Sequence, residues 1–259
     1  MKAQLSALKE RYLYSLVFLA AVLGAWQAYV VFFSVPGYLL PSPYQVLAVF
    51  RSSGSSLARH ALVTLQEVLC GYAFGAVAGF LMALAVFSSG LLRKTVYPLI
   101  IAVQSIPKLA LAPLFVIWFG FGIAPKIAIT ALVVFFPVLV HTIKGLSCVT
   151  PELLDLLNSL RASKLQILLK IRIPASMPYL ATSLKASITL GVLGAVIGEF
   201  VGADKGLGYV IMVSSVDLDT SRMFAALSLL GAMGLALFAA FSVLERLLLP
   251  WCAGTEPPR

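Results

Sequence analysis

A lysine lies in the middle of one of the apolar stretches of this sequence. Lys108 follows Gln104 and Ser105 within residues 95–119, and it is flanked by prolines at 107 and 113. A lysine at the centre of a membrane-spanning helix costs about 2.5 to 3.5 kcal/mol on insertion scales, so its ammonium should face a cavity or a polar partner. Two interpretations remain open. These three side chains line a path that attracts an anionic solute, or Lys108 pairs with a carboxylate or with carbonyls freed by the prolines.

A second polar group lies on one face of a later apolar stretch, at about residues 179–201. Thr182, Lys185 and Thr189 follow one another at helical spacing, so we include them in the candidate path. Lys185 is nearer a membrane surface, where its long stem would also let the ammonium reach water. The path and the snorkelling interpretation both remain open for this residue.

Small residues at helical spacing predict close helix packing. In lipid, small side chains let two helix backbones approach each other, and dispersion packing then replaces the hydrophobic effect. The residues concerned are Gly71, Gly75 and Gly79 in one apolar stretch and Gly194 and Gly198 in another.

The remaining ionisable residues of the apolar stretches do not form a catalytic or metal-binding pattern. Glu67 and Glu199 are predicted to be structural, and His60 and His141 have no second ligand at metal-like spacing, so no metal site is predicted. An intramembrane enzyme would need paired carboxylates, a His-Glu motif or a nucleophile with its base, and the sequence offers none of these.

The longest polar interruption, from Thr150 to Pro178, predicts two short helices. Pro151 suits a first helical position after the capping threonine, and Ser163 with Gln166 is the residue pair of a capping box. Leucines recur on one side of the first helix, opposite acidic and polar residues. Pro174 should end the second helix and push the residue before it into an extended conformation. The segment is therefore predicted to form a paired-helix hairpin at a membrane surface.

Composition requires that the chain be embedded largely in a membrane. Of its 259 residues, 61% are hydrophobic and 11% are charged, and the mean hydropathy is +1.00. Soluble domains have about half apolar and about a quarter charged residues. We predict an all-α polytopic membrane protein with about six transmembrane helices in one domain. Its predicted parts are a cytoplasmic head 1–11, a first span 12–33, an outer segment 34–59, core spans 60–249 that include the hairpin 150–178, and a tail 250–259.

The net charge of +9 is best explained by membrane topology, and a nucleic-acid partner is not expected. If the first span leaves the cytoplasm, twelve Lys and Arg residues fall in inner segments and five in outer ones. The positive-inside rule then places both termini and the hairpin in the cytoplasm. The five outer residues are Arg51, Arg59, Lys126, Lys205 and Arg222.

A cytoplasmic two-helix hairpin late in a six-span chain resembles that of the permease subunits of bacterial ATP-binding-cassette (ABC) importers. In that family the hairpin carries Glu-Ala-Ala-x-x-x-Gly, followed further on by Ile-x-Leu-Pro. A non-glycine in the left-handed turn at the glycine position costs roughly 1 to 2 kcal/mol. Either the turn is built differently here, or a partner holds the strain. The family frame falls on Asp155, Leu156, Leu157, Arg161, Ile171, Ile173 and Pro174.

Other stretches extend the resemblance over residues 40–250, including QSIPKLALAPLFVIWFGFGIAPK and GEFVGADKGLGYVI. They are similar to the nitrate, sulfonate, taurine and bicarbonate branch, which also contains permeases for pyrimidine vitamin precursors and other aromatic solutes. The resemblance implies that the hairpin couples to an ATPase. The residues that it assigns to coupling are Glu152, Asp155, Leu156, Leu157, Arg161, Ser163, Gln166, Lys170, Arg172 and Pro174.

The same resemblance implies a multi-pass subunit in a bacterial inner membrane, with a second copy of itself, two ABC ATPase subunits and an extracytoplasmic solute-binding protein as partners. Gly202, Gly206 and Gly208 lack the Gly-Lys-Ser/Thr ending of a phosphate-binding loop. ATP and Mg²⁺ are therefore expected on the partner ATPase, with no cofactor in this chain. The alternative is an ion-coupled secondary transporter, although such carriers usually show membrane-embedded acids and inverted repeats.

Overall fold

The computed structural model describes residues 2–249, with side chains from residue 13 onward except those of Leu109 and Leu248. The predicted tail, 250–259, lies outside the described residues. All regular structure in this part is helical, which confirms the predicted fold class. The helices are α1 (Lys2–Phe32), α2 (Pro43–Ser88), α3 (Gly90–Gln104), α4 (Ala112–Phe119), α5 (Ile123–Leu146), α6 (Pro151–Ser159), α7 (Lys164–Ile167), α8 (Ile173–Gly202), α9 (Leu207–Val216) and α10 (Thr220–Leu248).

Within residues 2–249, five helices are long and apolar enough to cross a membrane. The third predicted span is interrupted, as its prolines predicted. A short 3-10 turn, Lys108–Leu111, separates α3 from α4. Pro107 lacks an amide hydrogen and disfavours a helical conformation of the residue before it, which favours a break at this point. The five long segments are Leu13–Phe32, Pro43–Ser88, Ile123–Leu146, Lys164–Gly202 and Thr220–Leu247.

Helix α5 forms the centre of the fold, between α2 and α8. A Cβ atom added at Gly79 would lie 2.7 Å from the carbonyl oxygen of Phe135, and one added at Gly198 would lie 3.0 Å from Cα of Lys126. These distances leave no room for a side chain, so the helix backbones are in direct contact. Gly71, Gly75 and Gly194 face α5 in the same way.

The predicted outer segment and second span form one helix. α2 begins at Pro43 with a capping box, in which Ser42 and Gln45 exchange hydrogen bonds, and it continues without a break to Ser88. Its first turns are fixed by packing, because Val46 and Leu57 are buried against α9 and α10.

The predicted outer loop between the last two spans contains helix α9, which the sequence reading missed. Leu207 and Val210 are almost completely buried, against the first part of α2. The apolar residues of this segment are too few to span a membrane, but they are enough to fill the space between α2 and α10.

Pro174 does not end the second hairpin helix, contrary to the prediction. The backbone at Ile173 is helical, with φ of −63° and ψ of −52°. The chain passes through one π-helical turn, Leu168–Arg172, in which the Ile173 amide donates to the carbonyl of Leu168. This wider turn accommodates the proline ring, which would otherwise clash with the carbonyl four residues before it. The helix from Lys164 to Gly202 is therefore continuous, and the hairpin runs directly into the fifth span.

Candidate functional site

The first helix of the hairpin, α6, projects from the bundle. Thr150 is extended, with φ of −67° and ψ of 149°, but its side chain makes no capping hydrogen bond. Glu152 lies in the first turn, where its charge stabilises the positive end of the helix dipole. No residue of α6 is buried. Three leucines of the predicted stripe, Leu153, Leu156 and Leu160, are exposed, and Leu157 is half-buried.

The turn after α6 is a Schellman motif built on an arginine. The amide of Ala162 donates to the carbonyl of Leu157 at 3.0 Å, and that of Arg161 donates to the carbonyl of Asn158 at 2.9 Å. Arg161 has φ of 56°, in the left-handed region. The chain thus keeps the turn that the family makes with glycine, and it carries the associated strain of about 1 to 2 kcal/mol.

The second part of the hairpin is fixed by a cap and by an arginine. Ser163 and Gln166 form the predicted capping box, with bonds of 2.8 and 3.2 Å. The guanidinium of Arg172 donates to the carbonyl of Leu146 at 2.6 Å and lies 4.8 Å from the centre of the Phe87 ring. Arg172 therefore connects the base of the hairpin to the ends of α5 and α2.

Most of the predicted coupling residues lie on the outside of this hairpin. Leu157 and Arg172 are half-buried. The exposed members are Glu152, Asp155, Leu156, Arg161, Ser163, Gln166, Lys170 and Pro174.

Lys108 lies in the turn that interrupts the third span. Its ammonium donates to the carbonyl of Gln104 at 3.3 Å and lies 4.9 Å from the centre of the Phe136 ring. The carbonyl is one that the helix break leaves free, as the second interpretation expected. Gln104 and Ser105 are exposed, so the three polar groups form one patch on the surface of a single chain.

The second group of predicted path residues is placed differently. Lys185 forms an ion pair with Glu245 of α10. Thr182 and Thr189 are exposed, and the Thr182 hydroxyl donates to the carbonyl of Pro178. Lys108 therefore contacts α5, and Lys185 contacts α10. None of the described contacts connects the two groups of predicted path residues.

A buried ion pair connects α2 to α5. Nζ of Lys126 lies 2.8 Å from Oε1 of Glu67, with side-chain exposures of 4% and 0%. The count of basic residues places Lys126 among the outer charges, whereas the structure buries it. The spacing of Glu67 and Lys126 along the chain gives no signal of their pairing, which depends on how α2 packs against α5.

Glu199, at the end of α8, holds the beginning of α9. Its carboxylate accepts hydrogen bonds from the Thr64 hydroxyl at 2.6 Å and from the Gly208 amide. The Thr64 hydroxyl oxygen in turn accepts from the Leu207 amide at 2.8 Å. Gly206 has φ of 116°, and a Cβ atom there would overlap the carboxylate. We call this arrangement of Thr64, Glu199 and residues 206–208 the glutamate clasp.

The glutamate clasp accounts for two of the glycines that do not form a phosphate-binding loop. Gly206 and Gly208 enclose a carboxylate of the same chain, so their backbone amides are not arranged around a nucleotide. The structural role that the sequence predicted for Glu67 and Glu199 agrees with these contacts.

The described chain is a helical membrane protein with a tightly packed central helix, a broken third span and a projecting hairpin. The sequence profile of the family described as "Binding-protein-dependent transport system inner membrane component" matches residues 75–252. The chain therefore belongs to this family of inner-membrane permease subunits of ABC importers. This match favours the importer over the ion-coupled alternative.

Relatives of known name agree with this assignment. The formylaminopyrimidine transport permease protein ThiX of Halalkalibacterium halodurans is 39% identical, over 83% of this chain and 86% of that protein. The riboflavin transport system permease protein RibX of Chloroflexus aurantiacus is 33% identical, over 91% and 88%. The taurine transport system permease protein TauC of Escherichia coli is 27% identical, over 90% and 87%.

Solved structures show the same fold. A chain of the MetNI methionine ABC transporter in an inward-facing conformation superposes with a TM-score of 0.65, at 20% identity, over 73% of this chain and 94% of that one. A chain of an amino acid ABC transporter gives a TM-score of 0.62, at 17% identity, over 78% and 96%.

Proposed function

We propose that two copies of this chain form the membrane part of an importer, with two ATPase subunits bound to the hairpins and a solute-binding protein on the opposite face. ATP and Mg²⁺ bind the ATPase subunits, and this chain contributes no cofactor. Nucleotide-driven closure of the ATPases then moves the two permease copies between inward-open and outward-open states.

The observation that carries this proposal is the row of exposed leucines on a polar hairpin. Exposed apolar side chains grouped on one element mark a surface that binds another protein or the membrane, and the charged residues of the same short helices favour a protein here. The coupling residues around them supply charges for a polar rim. The exposed fractions are 40% for Leu153, 55% for Leu156, 70% for Leu160, 63% for Leu165 and 53% for Leu169.

The hairpin is also built to transmit movement. Its second helix continues into α8 as one helix, Lys164–Gly202, and Arg172 attaches its base to α5 and α2. A force on the hairpin therefore acts directly on the fifth span and on the helix ends next to it. We expect α8 to move with the hairpin as one body.

The proposed orientation places the hairpin and both termini in the cytoplasm. It rests on the excess of basic residues on that side. Lys126 is buried in an ion pair, so it is not counted among the outer charges. The excess of inner over outer basic residues is therefore greater than the sequence indicated.

For the solute, we propose a heteroaromatic compound of the pyrimidine or flavin type. The relatives with 39% and 33% identity are named for formylaminopyrimidine and riboflavin, whereas the taurine permease is 27% identical. A small anion is the second candidate, because Lys108 places a positive charge beside Gln104 and Ser105. The sequence places these polar side chains near the middle of the third predicted span, where exposed polar groups should face a partner chain or water, and this supports a path at the patch.

Copurification tests the proposed coupling. The affinity-tagged chain is extracted from its native membrane, and the ATPase that accompanies it is measured by its ATP hydrolysis. We expect Leu156→Glu combined with Leu160→Glu to abolish copurification, because the charges prevent burial of the patch. Leu39→Glu is the matched control, since Leu39 is 63% exposed and lies away from the hairpin. Equal ATPase recovery with both variants would contradict the proposal.

The solute class is tested on the partner solute-binding protein. Calorimetric titration with pyrimidines and flavins is compared with titration with taurine and nitrate. Tight binding of a heteroaromatic compound is expected. Binding of the anions alone would favour the second candidate.

A further inference from the structure

A basic pocket lies at the end of the bundle opposite the hairpin. It has a volume of about 480 Å³ and lies between α2, the loop after α8, α9 and α10. The cations Arg59, Lys205 and Arg222 line it together with His60, against a single carboxylate, that of Asp204. We call this the outer basic pocket.

The polar groups of the pocket wall are arranged to donate hydrogen bonds. The Gly206 amide donates to Nδ1 of His60 at 3.1 Å, so the ring proton lies on Nε2. The ring stacks on Tyr209, with 6.0 Å between the ring centres. Among the described residues, Nε of Arg222 is buried without an acceptor. Either ordered water or a bound anion would satisfy such a donor.

The pocket has a rigid base. Gly206, which fixes the His60 ring, belongs to the glutamate clasp, and the Leu207 amide beside it donates to Thr64 of α2. Lys205 directly precedes this fixed backbone. The cationic side chains therefore project from a backbone that is already fixed. Little conformational entropy of this backbone is lost when an anion binds.

We propose that the outer basic pocket takes a carboxylate side chain of the docked solute-binding protein. This inference rests on the proposed function, which places a binding protein on this face. Arg59 and Lys205 are exposed, and exposed ion pairs contribute about 0 to 1 kcal/mol each, which is too little to retain a small free anion. A docking protein presents its carboxylates on a large interface, where complementary charge increases the association rate and fixes the register.

The test uses the complete transporter, this chain with its ATPase subunits, in lipid nanodiscs. The purified solute-binding protein of the same system is the probe, and its Kd is measured at low and at high NaCl. We expect Arg59→Gln combined with Lys205→Gln to raise the Kd about tenfold and to weaken its salt dependence. Arg59→Lys should retain the wild-type Kd. Arg51→Gln is the matched control, because Arg51 is an exposed arginine of α2 outside the pocket.

The outcomes separate this inference from the proposed function. A wild-type transporter that does not bind the solute-binding protein overturns both. Equal Kd values for the wild type and the double variant overturn the docking site alone. If the double variant keeps its Kd but loses uptake of an anionic solute, the pocket serves the free solute and the docking site is again overturned. If the double variant does not assemble, Lys205→Gln alone is measured against the same control.

Discussion

Removal of Lys126 should be one of the most damaging single substitutions in the membrane part of this protein. Its ammonium is 2.8 Å from Oε1 of Glu67, and both side chains are almost completely shielded from solvent. Lys126→Met leaves the buried Glu67 carboxylate without its cation. Breaking a buried ion pair on one side costs about 3 to 5 kcal/mol.

The loss can be measured by thermal unfolding of the purified chain in detergent. For a chain of this size, each kcal/mol lowers Tm by roughly 2 to 4 °C, so a fall of about 10 °C is expected. The double variant Lys126→Met with Glu67→Leu is the control, because it removes both charges and replaces them with apolar side chains of similar volume. It should be more stable than Lys126→Met alone. An unchanged Tm in Lys126→Met would refute this prediction. So would a loss of Tm in the double variant that equals the sum of the losses in Lys126→Met and Glu67→Leu measured singly.

Three further predictions follow from the other unusual positions. Gly206→Ala should destabilise the fold by about 3 kcal/mol, because φ is 116° and the methyl group meets the Glu199 carboxylate. Gly231→Ala, which lies within α10 and meets no atom within 4 Å, should raise Tm slightly, because alanine is the better helix former. Arg161→Gly should relieve about 1 kcal/mol of backbone strain, seen as slower hydrogen exchange in the hairpin, and faster exchange would show that the arginine stabilises the turn. Lys108→Ala should lower solute uptake about tenfold if the lysine faces the solute, whereas unchanged uptake would show that it only caps the free carbonyl.

Helical periodicity and the signals at helix ends were sufficient to predict much of this fold. The capping boxes at Ser42 and Ser163 depend on residues three apart, so local sequence determines them. The missing amide at Pro107 favours the break there, although Pro98, Pro137 and Pro178 lie within continuous helices. The close approach of α2 to α5 was expected because glycines at four-residue spacing allow it.

The features that sequence reasoning missed depend on contacts between distant segments or on backbone adjustment. Pro174 was expected to end a helix, but a π-helical turn accommodates it, and no local pattern predicts such a turn. Lys126 and Lys185 gain their partners Glu67 and Glu245 only when the helices pack. α9 looked like a loop because its apolar length is too short for a span.

ATP-driven import is tested most directly by transport in proteoliposomes that contain the purified chain with its ATPase subunits. Solute-loaded binding protein is added outside and ATP is enclosed inside, with no ion gradient across the membrane. We predict solute uptake that requires both ATP and binding protein, and that is lost when Leu156 and Leu160 are replaced by glutamate. Uptake by the chain without ATPase subunits, driven by an imposed ion gradient, would contradict it.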